Sequence, residues 1–107
     1  MNNRKVYISG KIVPEVDAKI SIFDSAVLLG DTVTESTRTF NFKPFKLDEH
    51  LERLYKSFKL TRIDPQMTIE EMKKVSLELL EINKDNYKAN EDCWLVHNIS
   101  RGHSITG

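Results

Sequence analysis

The chain has 107 residues, and its 16 Lys and Arg balance 16 Asp and Glu. That is one domain, residues 1–107, with room for one modest core, and a neutral balance gives no case for nucleic acid or an anionic membrane as a partner. With 39% hydrophobic and 30% charged residues, no apolar run long enough to span a bilayer and no signal-like apolar region in MNNRKVYISG, the composition fits a soluble cytoplasmic domain that leans on a neighbour.

In chain order, Val6, Tyr7 and Ile8 form a short strand, Ser9-Gly10 a turn, and Lys11, Ile12 and Val13 the return strand before Pro14. In the mixed segment that follows, Ile20, Ile22 and Ala26 to Leu29 are expected to be partly buried. Gly30 is expected where the backbone needs positive φ or a side chain would not fit. Residues 32–40 alternate with β-branched side chains and read as a strand. Asn41 to Pro44 reads as a turn, and Phe45, Lys46 and Leu47 as a short pairing strand.

Asp48 is the expected cap of a first long helix, with Glu49 in its first turn where the dipole favours an anion. Leu51, Leu54, Tyr55 and Phe58 repeat at helical spacing and give it one buried face. Pro65 marks a connection, and Thr68 with Glu71 forms a capping box for a second helix. The apolar face of that helix runs through Ile69, Met72, Val75, Leu79, Leu80 and Ile82. Residues 83–92 read as a polar loop, and Cys93 to Ile99 as an apolar strand that ends at Ser100-Arg101-Gly102 and joins the same sheet. The order of elements predicts an α+β domain, a mostly antiparallel sheet with two helices packed on one face. Its modest core implies marginal stability in isolation.

The residues that could carry chemistry are few. From spacing alone, Arg53 reads either as a phosphate-binding guanidinium or as a surface arginine paired with Glu49 or Glu52. Thr34 and Ser36 read as an ordinary solvated strand face, and Glu35 as a charged strand residue, exposed or paired with Arg38. Arg101 could meet a carboxylate or face solvent at a strand end. His50, His97 and His103 do not share a metal-binding spacing. Cys93, the single cysteine, reads as a small buried hydrophobe. In the run from Trp94 to His97, one alternating pair faces the core.

The stretch FDSAVLLGDTVTESTRTFNFKPFKLDEHLERL, with its Gly-Asp pair before a strand and its E-H-x-x-R-L run, resembles the small N-terminal domain of the fold-type IV aminotransferases. That family uses pyridoxal phosphate and includes the branched-chain and D-amino-acid aminotransferases and aminodeoxychorismate lyase. The resemblance spans about residues 5–102. It implies that Arg53 reaches the cofactor phosphate, that His50 has a structural part such as anchoring a loop, and that Glu35 is a supporting residue. It also implies that Leu29, Thr34, Arg38 and Arg101 border the substrate.

Branched-chain members tend to have a tyrosine where Leu29 stands, an aromatic where Thr34 stands and an arginine where Val96 stands, which argues against a tight branched aliphatic pocket here. In the family, the lysine that bonds pyridoxal phosphate lies on a later, second domain, so the expected partners are that missing C-terminal domain, a second copy in a homodimer, and an amino acid or oxo acid substrate. The expectation is an N-terminal portion of such an enzyme, inactive alone. The alternative is a non-catalytic α+β module for binding or dimerisation.

Overall fold

The computed structural model describes residues 3–102. His103 and the remaining C-terminal residues lie outside them. Strand β1 (Lys5–Ile8) and β2 (Lys11–Pro14) form an antiparallel hairpin, with Val6 opposite Val13 and Tyr7 opposite Ile12. Ser9 and Gly10 both take positive φ in its tight turn, as a two-residue hairpin requires. The hairpin is a separate two-stranded sheet rather than part of one continuous sheet. It is tied to the helical layer instead, because the buried Asn83 accepts from the Lys5 N–H at 2.8 Å and donates to the Lys5 carbonyl at 3.0 Å.

The main sheet has the order β4-β3-β5, all antiparallel. Strand β3 (Thr32–Phe40) is its spine and coincides with the predicted strand. Strand β5 (Trp94–Ser100) pairs along it, with Thr34 opposite Asn98, Ser36 opposite Val96 and Arg38 opposite Trp94. Strand β4 is only Lys43–Pro44. The expected strand at Phe45–Leu47 does not form, because the chain turns into a helix at Leu47.

Helix α1 (Ser25–Leu29) is not among the elements that the sequence predicts. Asp24 caps it, accepting from the Ala26 N–H at 2.9 Å, and Gly30 closes it at φ 65°. A Cβ on Gly30 would meet nothing within 4 Å, so backbone conformation and not space calls for glycine there. The expected partial burial of this region is corrected too. Ala26 is half-buried as expected, but Ile20, Ile22, Val27, Leu28 and Leu29 are all exposed, because no described element packs over them.

Helix α2 (Leu47–Thr61) starts two residues earlier than a cap at Asp48 would place it. Its cap is Lys46 in the left-handed conformation with no side-chain hydrogen bond, and Asp48 and Glu49 both fall in the first turn. Leu47, Leu51, Leu54 and Phe58 form its buried face. Helix α3 (Ile69–Asn83) begins with the predicted capping box, the Glu71 N–H donating to Thr68 Oγ1 and the Thr68 N–H to Glu71 Oε1. Met72, Ser76 and Leu80 face inward, whereas Ile82 is exposed. The core joins these faces to Ile63 and Leu95, with Val33 and Ile99 packed against it.

Candidate functional site

Alternation along β3 divides its side chains between two environments. Val33, Glu35, Thr37 and Thr39 point into the helical layer, where Glu35, Thr37 and Thr39 are buried. Thr32, Thr34, Ser36, Arg38 and Phe40 point the other way and are exposed. Strand β5 does the same, with Leu95 and His97 inward and Trp94, Val96 and Asn98 outward. The outward face of β3 and β5 is bare of any described element. Beyond its short pairing with β4 at Thr39 and Phe40, the far edge of β3 has no partner strand among the described residues.

Glu35 organises the inward side. It is 6% exposed, neither on the surface nor beside Arg38, which lies on the opposite face of the strand. A carboxylate so deep must be paired, and α2 supplies the partners. Arg53 donates from Nε to Oε2 at 3.0 Å and from Nη2 to Oε1, a two-pronged fork. His50 places Nδ1 2.8 Å from Oε1. The hydrogen bonds from Arg53 hold the Glu35 carboxyl below its usual range, burial opposes that, and His50 adds to it. Arg53 therefore pairs neither with Glu49 nor with Glu52, and His50 anchors a strand carboxylate instead of a loop.

Helical geometry explains the convergence: His50 and Arg53 are three residues apart and share one face of α2, and that face lies over the Glu35 position of β3. The Arg53 side chain nevertheless remains 68% exposed. Its Nη1 has no hydrogen-bond partner among the described residues, so two N–H groups remain available beside the fork.

His97 lies directly opposite Glu35 in the β3–β5 register. Its Nε2 is 2.8 Å from the buried Ser76 hydroxyl, while its Nδ1 is buried without a partner among the described residues. Burial pushes the His97 ring below its ordinary pKa, partly offset by the charge of Glu35. Cys93 is half-buried, and burial pushes its thiol up, away from nucleophile chemistry.

Arg101 is engaged elsewhere. It donates from Nε to Asp31 Oδ2 at 2.7 Å, from Nη1 to the Arg62 carbonyl and from Nη2 to the Thr61 carbonyl, both at 3.0 Å. It clips the end of β5 to the start of β3 and closes the C-terminus of α2, where carbonyls lack helical partners. It is thus held by a carboxylate and two carbonyls and is not a free strand-end cation.

On the bare face, Thr34 Oγ1 donates to Asn98 at 3.1 Å, and the Arg38 guanidinium carbon sits 4.8 Å from the centre of the Phe40 ring. Trp94 stands beside Arg38 across the strands and is exposed. Sequence reasoning did not single it out as a site residue, although its alternation with Leu95 carried the signal. Leu29, at the exposed end of α1, adds an apolar side chain ahead of β3. No group of three or more potential metal-binding side chains occurs among the described residues.

The sequence profile of the amino-transferase class IV family matches residues 32–105. The chain belongs to that family. A protein of Methanocaldococcus jannaschii named as a branched-chain-amino-acid aminotransferase is 48% identical over 79 residues, which are 74% of this chain and 27% of that protein. A D-alanine aminotransferase of Staphylococcus haemolyticus is 35% identical over 79 residues, covering 74% of this chain and 28% of the enzyme. The chain thus spans little more than a quarter of these two class IV relatives.

Among solved class IV structures, the branched-chain aminotransferase of Thermoproteus uzoniensis with norvaline superposes with a TM-score of 0.81 at 28% identity, over 96% of this chain and 35% of that one. A branched-chain amino acid aminotransferase of T.th. complexed with N-(5'-phosphopyridoxyl)-L-glutamate superposes with a TM-score of 0.83 at 25% identity, over 100% of this chain and 36% of that one. The α+β architecture is therefore that of the corresponding portion of class IV aminotransferases.

Proposed function

We propose that this chain forms the phosphate side of a pyridoxal phosphate site and one wall of the substrate pocket in an amino acid aminotransferase. The observation that carries the reading is Arg53, which is anchored on one edge by Glu35 and has Nη1 open beside the exposed surface. That donor set fits a phosphate, since guanidinium N–H groups match its oxygens in charge and direction.

Bound pyridoxal phosphate supplies the electron sink that makes the Cα proton of an amino acid labile. Arg53 binds and orients the phosphate. Thr34 and Arg38 present a hydroxyl and a cation from one bare strand face to the substrate, and Leu29 lines the rim. Arg101 keeps the β3 entrance and the end of α2 together, bordering the pocket through Asp31. The lysine that bonds the cofactor, and the cover of the bare face, come from a second domain outside these residues. The exposed apolar run from Ile20 to Leu29 is a surface for a second copy, giving a homodimer.

No described helix is long and apolar enough to cross a membrane. The single cysteine, half-buried as a free thiol, supports a reducing cytoplasmic setting.

The test uses the polypeptide of the whole reading frame. With pyridoxal phosphate and an oxo acid acceptor, it transfers the amino group of L-leucine or of D-alanine, and which donor works names the substrate class. Arg53→Ala raises the cofactor concentration for half-maximal activity roughly 10- to 100-fold, the range of a lost charge-assisted contact. A polypeptide limited to residues 1–107 shows no turnover. Transamination by that short chain, or an unchanged cofactor requirement in Arg53→Ala, refutes the assignment.

A further inference from the structure

We propose that Glu35 is a positioning residue, which sets the orientation of Arg53 before an anion arrives. The inference rests on the reading of Arg53 above and goes beyond it. An exposed arginine samples many rotamers, and fixing it at the moment of binding weakens affinity. Here the fixing is built into the fold. Glu35 takes the Nε and Nη2 edge of the guanidinium and directs Nη1 outward.

The carboxylate cannot itself wander. It sits on the central strand of the sheet and is 6% exposed. His50 Nδ1 holds Oε1 from the same helix face that carries Arg53, and His97 stands across the strand pair. Sequence position reinforces the point, because Glu35 is the one carboxylate among the inward residues of β3. Buried ion pairs often contribute little net stability. A buried anion spent on holding a mostly exposed cation makes more sense as geometry for a ligand than as a fold-stabilising pair. A cost accompanies the gain, since the anion of Glu35 reduces the net positive potential that a phosphate meets. Orientation outweighs that cost.

The experiment titrates the polypeptide of the whole reading frame with pyridoxal 5'-phosphate and, separately, with pyridoxal, which lacks the phosphate. Wild type, Glu35→Gln, Arg53→Ala and the double variant are compared, with melting curves of each taken without ligand. In Glu35→Gln the affinity for pyridoxal 5'-phosphate falls roughly threefold to tenfold, the cost of immobilising one long side chain on binding. Its affinity for pyridoxal stays within about twofold, because a loss through orientation of Arg53 touches only the phosphate. In the Arg53→Ala background the same substitution has no further effect on pyridoxal 5'-phosphate, as expected for two residues acting as one unit.

A Glu35→Gln protein that loses affinity for both ligands equally, or only melts earlier, has lost structure and not orientation, and that overturns the proposal. Tighter binding of pyridoxal 5'-phosphate overturns it as well, by showing that charge outweighs orientation. Loss in Arg53→Ala with none in Glu35→Gln overturns the role of Glu35 and leaves the role of Arg53 standing. No loss in either variant, or no binding by wild type, overturns both.

Discussion

Leu54 provides a direct test of how α2 is seated. It is 0% exposed and follows Arg53 in the chain, within the core that joins α2 to β3 and α3. Replacing it with alanine removes three carbons, about 2.4 kcal/mol at about 0.8 kcal/mol per buried methylene equivalent. The unfilled space adds a cavity cost, so the whole loss is about 3–4 kcal/mol, inside the range seen for buried leucines. That is a large share of the roughly 5–15 kcal/mol that holds a domain of this size together.

Leu60 lies on the same helix but is 85% exposed, and its replacement by alanine changes stability by less than about 0.5 kcal/mol. Urea unfolding followed by circular dichroism measures both, with the midpoint moving and the slope constant. Leu54→Ala also loosens the helix that carries His50 and Arg53, so cofactor affinity falls with stability, while Leu60→Ala leaves both intact. Equal effects of the two substitutions, or a loss below about 1 kcal/mol at Leu54, would refute the packing of α2 against the sheet and core.

Two titrations follow from burial. The His97 ring is held below its usual pKa mainly by burial, so the unfolded chain takes up a proton that the folded chain resists. Stability therefore falls as the pH drops below about 6.5, before the carboxylates begin to titrate. Replacing His97 with Gln flattens urea stability measured between neutral and mildly acidic pH, and an unchanged slope would contradict the burial argument. The Tyr55 hydroxyl donates to the Met67 carbonyl at 2.7 Å, and burial, with the charges of Glu71 and Glu70, pushes its pKa up to about 12. One of the 3 tyrosines thus ionises late in a spectrophotometric titration, and Tyr55→Phe removes that step. Because the unfolded tyrosine gives up its proton first, stability attributable to Tyr55 is lost as the pH rises through about 10 toward 12. A Tyr55→Phe protein that still shows the late step would contradict the assignment.

The sequence by itself determined what depends on near neighbours. The alternation from Thr32 to Phe40 produced β3 with its ends correct, Thr68 and Glu71 capped α3 as their spacing requires, and Leu51, Leu54 and Phe58 turned inward at helical period. The E-H-x-x-R-L run also marked the family. Local pattern failed where the deciding partner was distant. Glu35 read as exposed or paired with the nearby Arg38, yet its partners lie 15 and 18 residues away on α2. Arg101 read equally as meeting a carboxylate or facing solvent, and local pattern could not choose because Asp31 and the α2 carbonyls that hold it are between 39 and 70 residues away.

The apolar run before Gly30 looked half-buried because hydrophobicity signals a need for cover and does not say whether this part of the chain provides it. Only the tertiary structure decided which side of β3 meets the helices. A strand's period of two sorts its residues into two faces without saying which is inside. Once α2 and α3 take one face, Glu35 becomes a buried anchor for Arg53, and Thr34 and Arg38 are left on the open face.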